Sequence, residues 1–201
     1  MTILALETSC DETAVAILRG SELLASEVAS QTAEHEKFGG VVPEVASRNH
    51  LVHAPRLLER VARQAKVEIS QIDAFAATSG PGLASSLMIG ASIAKGLAIG
   101  FGKPYLAINH LEGHLLSPFF GEAKIKANVS LVVSGGVSCN RELRKQLGEA
   151  CKRYSFEFKT AEPWLCTDNA AMIAFAAMLK LKNNVSSSVT QEIDPNLALA
   201  I

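Results

Sequence analysis

The sequence lacks several features that would place it in a familiar class of proteins. Its 19 basic and 20 acidic residues give a net charge of -1, so it has no basic excess for holding nucleic acid alone. Its four cysteines show no CxxC spacing, which favours reduced thiols in a cytosolic protein over a zinc ribbon or a disulfide framework. The sequence has neither a GxxxxGK[ST] phosphate loop nor a basic region ahead of its first apolar run, so we expect neither a P-loop NTPase nor a signal peptide.

What is present is the alternation of strands and helices that is typical of an α/β sheet. Apolar runs predict strands near residues 2–6, 13–18, 23–30, 72–77 and 104–108, and helices near 44–66 and 83–101. The run at 83–101 is long enough to span a bilayer, but Lys95 and its many small residues favour a buried helix packed on a sheet. Residues 121–128 are short and polar and predict a linker. A strand near 130–133 and helices near 139–154 and 170–181 follow it.

Two histidines four residues apart, His110 and His114 in the run HLEGH, form the most informative local pattern. This spacing places both imidazoles on one face of a helix, where they can share a metal ion. Chance placement of two of the five histidines is the alternative. The order does not fit the peptidase templates HExxH and HxxEH, because Glu112 stands in the middle of the pair.

Three turns carry further polar residues that could take part in chemistry. The turn at residues 7–12 includes Asp11 and Glu12, which could face a phosphate or form a solvated hairpin tip. In the turn SGGVSCN, Gly135 and Gly136 allow a ligand to approach the backbone, and Asn140 could bind a sugar or a base edge or could cap a helix. Asp168 in the run TDN would ordinarily cap the last helix, but together with two histidines it could complete a facial metal triad.

Six runs, taken in order, resemble one family over nearly the whole chain. They are ETSCDETAVAIL, GGVVPEVASRNH, SGPGLASSLMIGASIAKGLA, HLEGHLLSP, VSGGVSCNRELR and TDNAAMIA. The chain thereby resembles the tRNA adenosine threonylcarbamoyltransferases, which are called TsaD in bacteria and were formerly described as O-sialoglycoprotein endopeptidases. The resemblance implies a two-lobed α/β fold of the actin/Hsp70/sugar-kinase type, with the active site in the cleft between the lobes.

The resemblance also implies an activity. The family transfers a threonylcarbamoyl group from threonylcarbamoyl-AMP to the exocyclic amine of the adenine 3' of the anticodon, in tRNAs that read ANN codons. His110, His114 and Asp168 would hold one divalent metal, with Fe²⁺ favoured and Zn²⁺ as the alternative. Asn140, with Gly135 and Gly136, would bind the substrate nucleotide, and Asp11 and Glu12 would face the cleft as candidate catalytic residues.

Partners and location follow from the same resemblance. We expect tRNA, threonylcarbamoyl-AMP, a related lobe-one paralogue (TsaB-like) and an ATPase (TsaE-like) as partners, in the cytoplasm and away from membranes. A metalloprotease or a sugar-kinase-like ATPase are weaker alternatives.

The chain departs from the family pattern after the HxEGH run. The SGGHT, DDAAGEAFDK and YPGG segments of the family are missing, so the chain looks like lobe one joined to the last third of lobe two. We therefore predict an N-terminal lobe at residues 1–120, a linker at 121–128 and a remnant of the second lobe at 129–201. The incomplete lobe should leave apolar surface uncovered near residues 129–133 and 170–181. A catalytically impaired homologue that only binds a partner is the alternative to an active enzyme.

Overall fold

The computed structural model describes residues 1–122 and 130–199. In chain order its main elements are β1 (Thr2–Glu7), β2 (Glu12–Arg19), β3 (Glu22–Ser30), α1 (Thr32–Glu36), α2 (Pro43–Ala65), β4 (Ala74–Gly80), α3 (Ala84–Phe101), β5 (Tyr105–Asn109), α4 (His110–Leu116), β6 (Ser130–Val133), α5 (Arg141–Arg153), β7 (Glu157–Thr160), α6 (Pro163–Cys166) and α7 (Ala170–Lys182). The predicted strands and helices are present within a few residues of their expected ends. Most of the predicted linker, residues 123–128, lies outside the described residues.

A five-stranded mixed sheet with the order β3-β2-β1-β4-β5 forms the centre of the molecule. The first three strands pair antiparallel, whereas β4 and β5 run parallel to β1. The carboxyl ends of these three parallel strands therefore meet at one edge of the sheet, which is where α/β proteins usually place their ligands. Glu7, Gly80 and Asn109 are the last residues of these strands.

Helices cover both faces of this sheet. Side chains alternate along β1, so that Leu4 and Leu6 face the core beneath α2 and α3, and Ile3 and Ala5 face the core beneath α7. Helix α3 is the one described helix that is long and apolar enough to cross a membrane. Here its small residues pack against the sheet and α2, as expected for a buried helix.

Helix α7 corrects one expectation from the sequence. All nine residues from Ala170 to Met178 are buried, and the helix packs on β1 and β2. The prediction that residues 170–181 would lack a cover is therefore wrong, because this segment supplies the second face of the five-stranded sheet. A helix that is apolar on every side is suited to this position between layers.

The segment from residue 130 to 166 forms a smaller unit around a parallel pair of strands, β6 and β7. Helix α5 packs on β7, while α6 contacts the short 3-10 turn that ends at Cys139. Several of its apolar side chains are exposed, including Leu131, Phe156, Tyr154 at 67% and Val137 at 80%. The predicted exposed surface is thus confirmed at Leu131, whereas Val129 lies outside the described residues.

The chain after α7 returns to the five-stranded sheet and lies beside β5. The amide of Ser187 donates to the carbonyl of Tyr105 at 2.8 Å, and the hydroxyl of Ser187 accepts from the amide of Ala107 at 3.0 Å. Farther on, the side-chain amide of Asn109 donates to the carbonyls of Leu197 and Ala198. This tail therefore shields one edge of the sheet and contacts the residue that precedes α4.

Candidate metal centre

The three predicted metal ligands converge in the structure. His110 is the first residue of α4, His114 lies one turn later, and Asp168 precedes α7. One ligand atom from each lies within 4.8 Å of the others. The Nε2 atoms of His110 and His114 lie 3.4 and 3.0 Å from the same carboxylate oxygen, Oδ1 of Asp168. Residues 54 positions apart in sequence thus face one point in space.

Two asparagines, each next to a predicted ligand in the sequence, explain how the ligands are positioned. Asn109 caps α4, since its Oδ1 accepts from the amides of Leu111 and Glu112 at 2.8 and 3.2 Å. Asn169 caps α7, accepting from the amide of Met172 at 2.9 Å. Asn169 therefore caps α7, and Asp168 does not. The Asp168 carboxylate instead contacts the two histidines.

Close contact between α4 and α7 brings the two halves of the site together. Gly113 lies between the histidines, and a Cβ at this position would lie 2.9 Å from Cδ1 of Ile173 and 3.2 Å from Cγ of Met172. The glycine of the HxEGH run therefore allows α4 to approach the helix that follows Asp168.

Glu7, which the sequence analysis did not single out, contacts one of the predicted metal ligands. Its side chain is 0% exposed, and its Oε2 lies 3.2 Å from Nδ1 of His110. Thr78 donates its hydroxyl to the same oxygen, and the amide of Ser9 donates to Oε1 at 2.5 Å. A carboxylate bound to the second nitrogen of a metal-ligating histidine fixes the tautomer that offers Nε2 to a metal. The sequence did contain a sign of this role: Glu7 is an acidic residue at the carboxyl end of an otherwise apolar strand.

The electrostatics of the cluster follow from this burial. Burial opposes charge on His110, but Glu7 and Asp168 overcome it and raise the pKa of this imidazole to about 10. Burial also opposes the Asp168 carboxylate, yet hydrogen bonds from His110 and His114 hold its pKa below the ordinary value. The pKa of Glu7 is likewise lowered against its burial, by the charge of His110. Without a metal, the cluster is thus a set of ion pairs centred on a protonated His110.

The donor set fits a divalent transition metal. Two imidazole nitrogens and one carboxylate are the facial triad of non-haem iron sites, and they also match three-ligand zinc sites. His110 has its second nitrogen fixed by Glu7, an arrangement that is common for metal-ligating histidines. Within the described part of the chain, Nδ1 of His114 has no hydrogen-bond partner, so only one of the two rings is held this way.

A cavity of about 290 Å³ opens beside the ligands. It is lined by Ser9, Cys10, Pro81, Gly82, Leu83, His110 and Asp168. The amide of Leu83 donates to the carbonyl of Ser9 at 2.8 Å, and a Cβ on Gly82 would lie 2.6 Å from that same oxygen. The SGPG turn therefore provides a close backbone contact that forms one wall of the cavity.

Asp11 and Glu12 follow Cys10, which lines this cavity, but neither is among the lining residues, and both are half-buried. Glu12 accepts the hydroxyl of Ser30 at 2.8 Å. Burial raises the pKa of Glu12, and the nearby carboxylates of Asp11 and Asp168 add to that rise. Their catalytic role stays a prediction.

The predicted substrate-binding residues of the second turn lie in the smaller unit. The Oδ1 of Asn140 accepts from the amides of Glu142 and Leu143, so this residue caps α5. The described residues that line the metal-side cavity do not include Gly135, Gly136 or Asn140. The turn is nevertheless joined to the end of α4, because the hydroxyl of Ser134 lies 2.7 Å from that of Ser117. Their contact with a nucleotide stays a prediction.

Comparison with solved structures agrees with the fold. Solved structures with a similar fold include YeaZ from Pseudomonas aeruginosa, with a TM-score of 0.58, 16% identity and coverage of 98% of this chain and 99% of that one. An uncharacterised protein described as similar to the peptidase YEAZ from the same organism gives a TM-score of 0.60 at 16% identity, with 99% of both chains covered. The predicted actin/Hsp70/sugar-kinase class of fold is confirmed. The protein is thus an α/β protein of this class with a two-histidine, one-carboxylate cluster.

The sequence comparisons define the family. The family model for TsaD, tRNA N6-adenosine threonylcarbamoyltransferase, matches residues 22–130 and 122–175. The enzyme of that name from Kosmotoga olearia is 49% identical over 137 residues, or 68% of this chain and 42% of the relative. The one from Geobacter sp. is 49% identical over 140 residues, or 69% of this chain and 41% of the relative. The chain belongs to the tRNA N6-adenosine threonylcarbamoyltransferase family, and it spans about two fifths of the length of these relatives.

Proposed function

We propose that this chain binds one divalent metal through His110, His114 and Asp168 and transfers a threonylcarbamoyl group to tRNA. The observation that carries the proposal is the convergence of these three side chains, with buried Glu7 behind His110, beside an open cavity. Fe²⁺ is the metal we favour, with Zn²⁺ as the alternative. The bound metal would supply Lewis acidity toward an oxygen of the activated substrate.

In this transfer reaction the main task of the chain would be to bind and orient its substrates. Threonylcarbamoyl-AMP is a mixed anhydride and is already activated. The exocyclic amine of adenine forms a bond to the carbamoyl carbon, the bond from that carbon to the phosphate oxygen breaks, and AMP leaves with the electron pair. The amine loses a proton, and Asp11 and Glu12, which follow the cavity-lining Cys10 in sequence, are our candidates to accept it. Alignment of amine and anhydride supplies most of the remaining rate enhancement.

We assign nucleotide binding to the turn that contains Gly135, Gly136 and Asn140. Gly135 has φ of 86°, a conformation that glycine adopts freely, so its backbone can approach a phosphate or a sugar closely. The capping bonds of Asn140 use its Oδ1, and its exposed side chain lies at the surface of the turn. With a net charge of -1, the chain would bind tRNA together with a partner.

The test is titration of the metal-loaded full chain with a non-hydrolysable threonylcarbamoyl-adenylate analogue, followed by calorimetry. We expect micromolar binding that is lost in Asn140→Ala. Asn183→Ala is a matched control, because Asn183 also lies at a helix end, the carboxyl end of α7, away from the cavity. Absence of binding by a folded, monodisperse sample would overturn the catalytic proposal and leave only descent from the enzyme.

A second candidate function is that of a partner-binding subunit without catalysis. Exposed apolar side chains on α2 and α3 favour it, among them Leu51, Val52, Met88 and Ile99, which is 66% exposed. A related lobe-one paralogue is the expected partner, and an ATPase and tRNA would complete the assembly. Size-exclusion chromatography of the chain with that paralogue tests this function, and Ile99→Lys should abolish co-elution without changing metal content.

A further inference from the structure

Two of the four cysteines, Cys139 and Cys166, lie together in the smaller unit. Their sulfur atoms contact the carbonyls of two consecutive residues, Cys166 that of Glu162 at 3.4 Å and Cys139 that of Pro163 at 3.8 Å. The 3-10 turn that ends at Cys139 packs against α6, which ends at Cys166, so the two cysteines lie on contacting segments. Cys139 is exposed, so its thiol is accessible to solvent, whereas Cys166 is buried.

Polar groups surround the buried sulfur. The hydroxyl of Ser138 donates to Sγ of Cys166 at 3.1 Å, and a guanidinium nitrogen of Arg144 lies 3.2 Å from the same atom. The guanidinium is itself held by the carbonyls of Ala161 and Ser138. The Arg144 side chain therefore holds the buried sulfur in a fixed position beside Ser138, the residue that precedes Cys139.

We propose that Cys139 and Cys166 are a site of reversible oxidation that forms an intramolecular disulfide. The oxidant is a small-molecule disulfide. The sulfur of Cys139, after losing its proton, attacks that disulfide, forms a mixed disulfide and releases one small thiol. The sulfur of Cys166, also without its proton, then attacks Cys139 and releases the second thiol. Two cysteine thiols are oxidised by two electrons in total, and one disulfide is reduced to two thiols.

The bridge would connect two segments that matter for the candidate site. Cys139 precedes Asn140, and Cys166 lies two residues before Asp168. Oxidation would therefore join the turn that contains Asn140 covalently to α6. The proposal stands on the contacts around the two sulfurs and is independent of the proposed transferase function.

The experiment exposes the full chain to oxidised glutathione, blocks remaining thiols with N-ethylmaleimide and identifies linked peptides by mass spectrometry. We expect one Cys139–Cys166 bridge, a loss of two hydrogen atoms from the protein, and complete reversal by dithiothreitol. When alkylation is completed in urea after the oxidation step, Cys10 and Cys151 should carry the blocking group. Cys10 lies between β1 and β2, outside the smaller unit, so this thiol serves as an internal control that should form no bridge.

Two variants make the result decisive. Cys139→Ser should abolish the bridge, and Cys10→Ser should leave it unchanged. Far-ultraviolet circular dichroism of each variant before oxidation establishes that it is folded. A persistent glutathione adduct on Cys139 with Cys166 still open to alkylation would overturn the proposal. So would a bridge that forms only in urea, because either result means that the sulfurs of the folded protein cannot approach to about 2.05 Å.

Discussion

Glu7 is the residue on which the geometry of His110 depends most directly. We expect Glu7→Gln to weaken metal binding by about 10-fold to 100-fold, because a neutral amide orients the imidazole less well and cannot raise its basicity. Competition with a chromophoric chelator for Zn²⁺ or Fe²⁺ measures the change. Glu59→Gln is the control, since Glu59 is exposed and pairs with Arg63 on the surface of α2. Equal affinities in the two variants would remove Glu7 from the metal centre.

The ligand assignment makes a stronger claim about His114 and Asp168. His114→Ala should remove most bound metal, because one of three protein ligands is lost, and Asp168→Ala should weaken binding. His53→Ala controls for the loss of any imidazole, as His53 lies on α2. Elemental analysis after gel filtration gives the metal content per chain. Unchanged content in both ligand variants would refute the assignment.

The raised pKa of His110 predicts how metal binding depends on pH. In the metal-free protein this ring is protonated up to about pH 10, so a metal must displace a proton from it. Asp168 has a lowered pKa and stays ionised, so it adds no such competition. Affinity should therefore rise roughly tenfold per pH unit between about pH 6 and pH 8, with one proton released per metal bound. Calorimetry in two buffers of different ionisation enthalpy counts that proton, and a flat affinity would contradict the prediction.

Single residues also show where sequence reasoning reaches its limit. His110 and His114 were predicted from their spacing, but Asp168 was joined to them only by resemblance, since 54 residues separate it from His114. Asp168 and Asn169 are both good helix caps, and only the folded backbone decides that Asn169 takes that role. Glu7 was read as part of a polar turn, because burial at the end of β1 depends on neighbouring strands that are distant in sequence.

At the scale of elements, the contact between α4 and α7 sets the distance between the histidines and Asp168. Gly113→Val should destabilise the protein by about 1–3 kcal/mol, since its side chain would press on Ile173 and Met172. Gly96→Val is the matched control, because Gly96 is exposed on α3 and nothing lies within 4 Å of its added Cβ. Urea unfolding of both variants isolates the cost of the contact from that of a β-branched residue in a helix. Equal losses would mean that the close approach is unimportant.

The position of α7 shows which features of the fold the pattern of strands and helices predicts and which it does not. The structure places this helix close to its predicted limits, but the sequence analysis expects an exposed face because the chain lacks segments of the family pattern. The run AAMIAFAAM has no polar side, which favours burial on every side. The local sequence does not indicate which sheet covers it. Long-range topology placed it on β1 and β2.

At the scale of the whole molecule, the two sheets are covered to unequal extents. The five-stranded sheet is covered on both faces, whereas the β6–β7 pair leaves Leu131, Tyr154 and Phe156 exposed around an apolar cavity of about 330 Å³. Two strands supply little core of their own. The contacts of α6 and of Ser134 with the larger unit are therefore important for holding the smaller one in place.

A bound metal should stabilise the folded chain as a whole, because it joins α4 to the segment that leads into α7. A ligand that binds only the folded state contributes about 2.7 kcal/mol at 100 times its Kd. For a chain of this size that corresponds to a rise of about 5–10 °C in Tm. Scanning calorimetry with and without metal should show the rise, a chelator should reverse it, and His114→Ala should show none. An identical rise in His114→Ala would mean that the stabilising metal binds elsewhere, and absence of any rise in the unmodified chain would mean that the three ligands are not held together in solution.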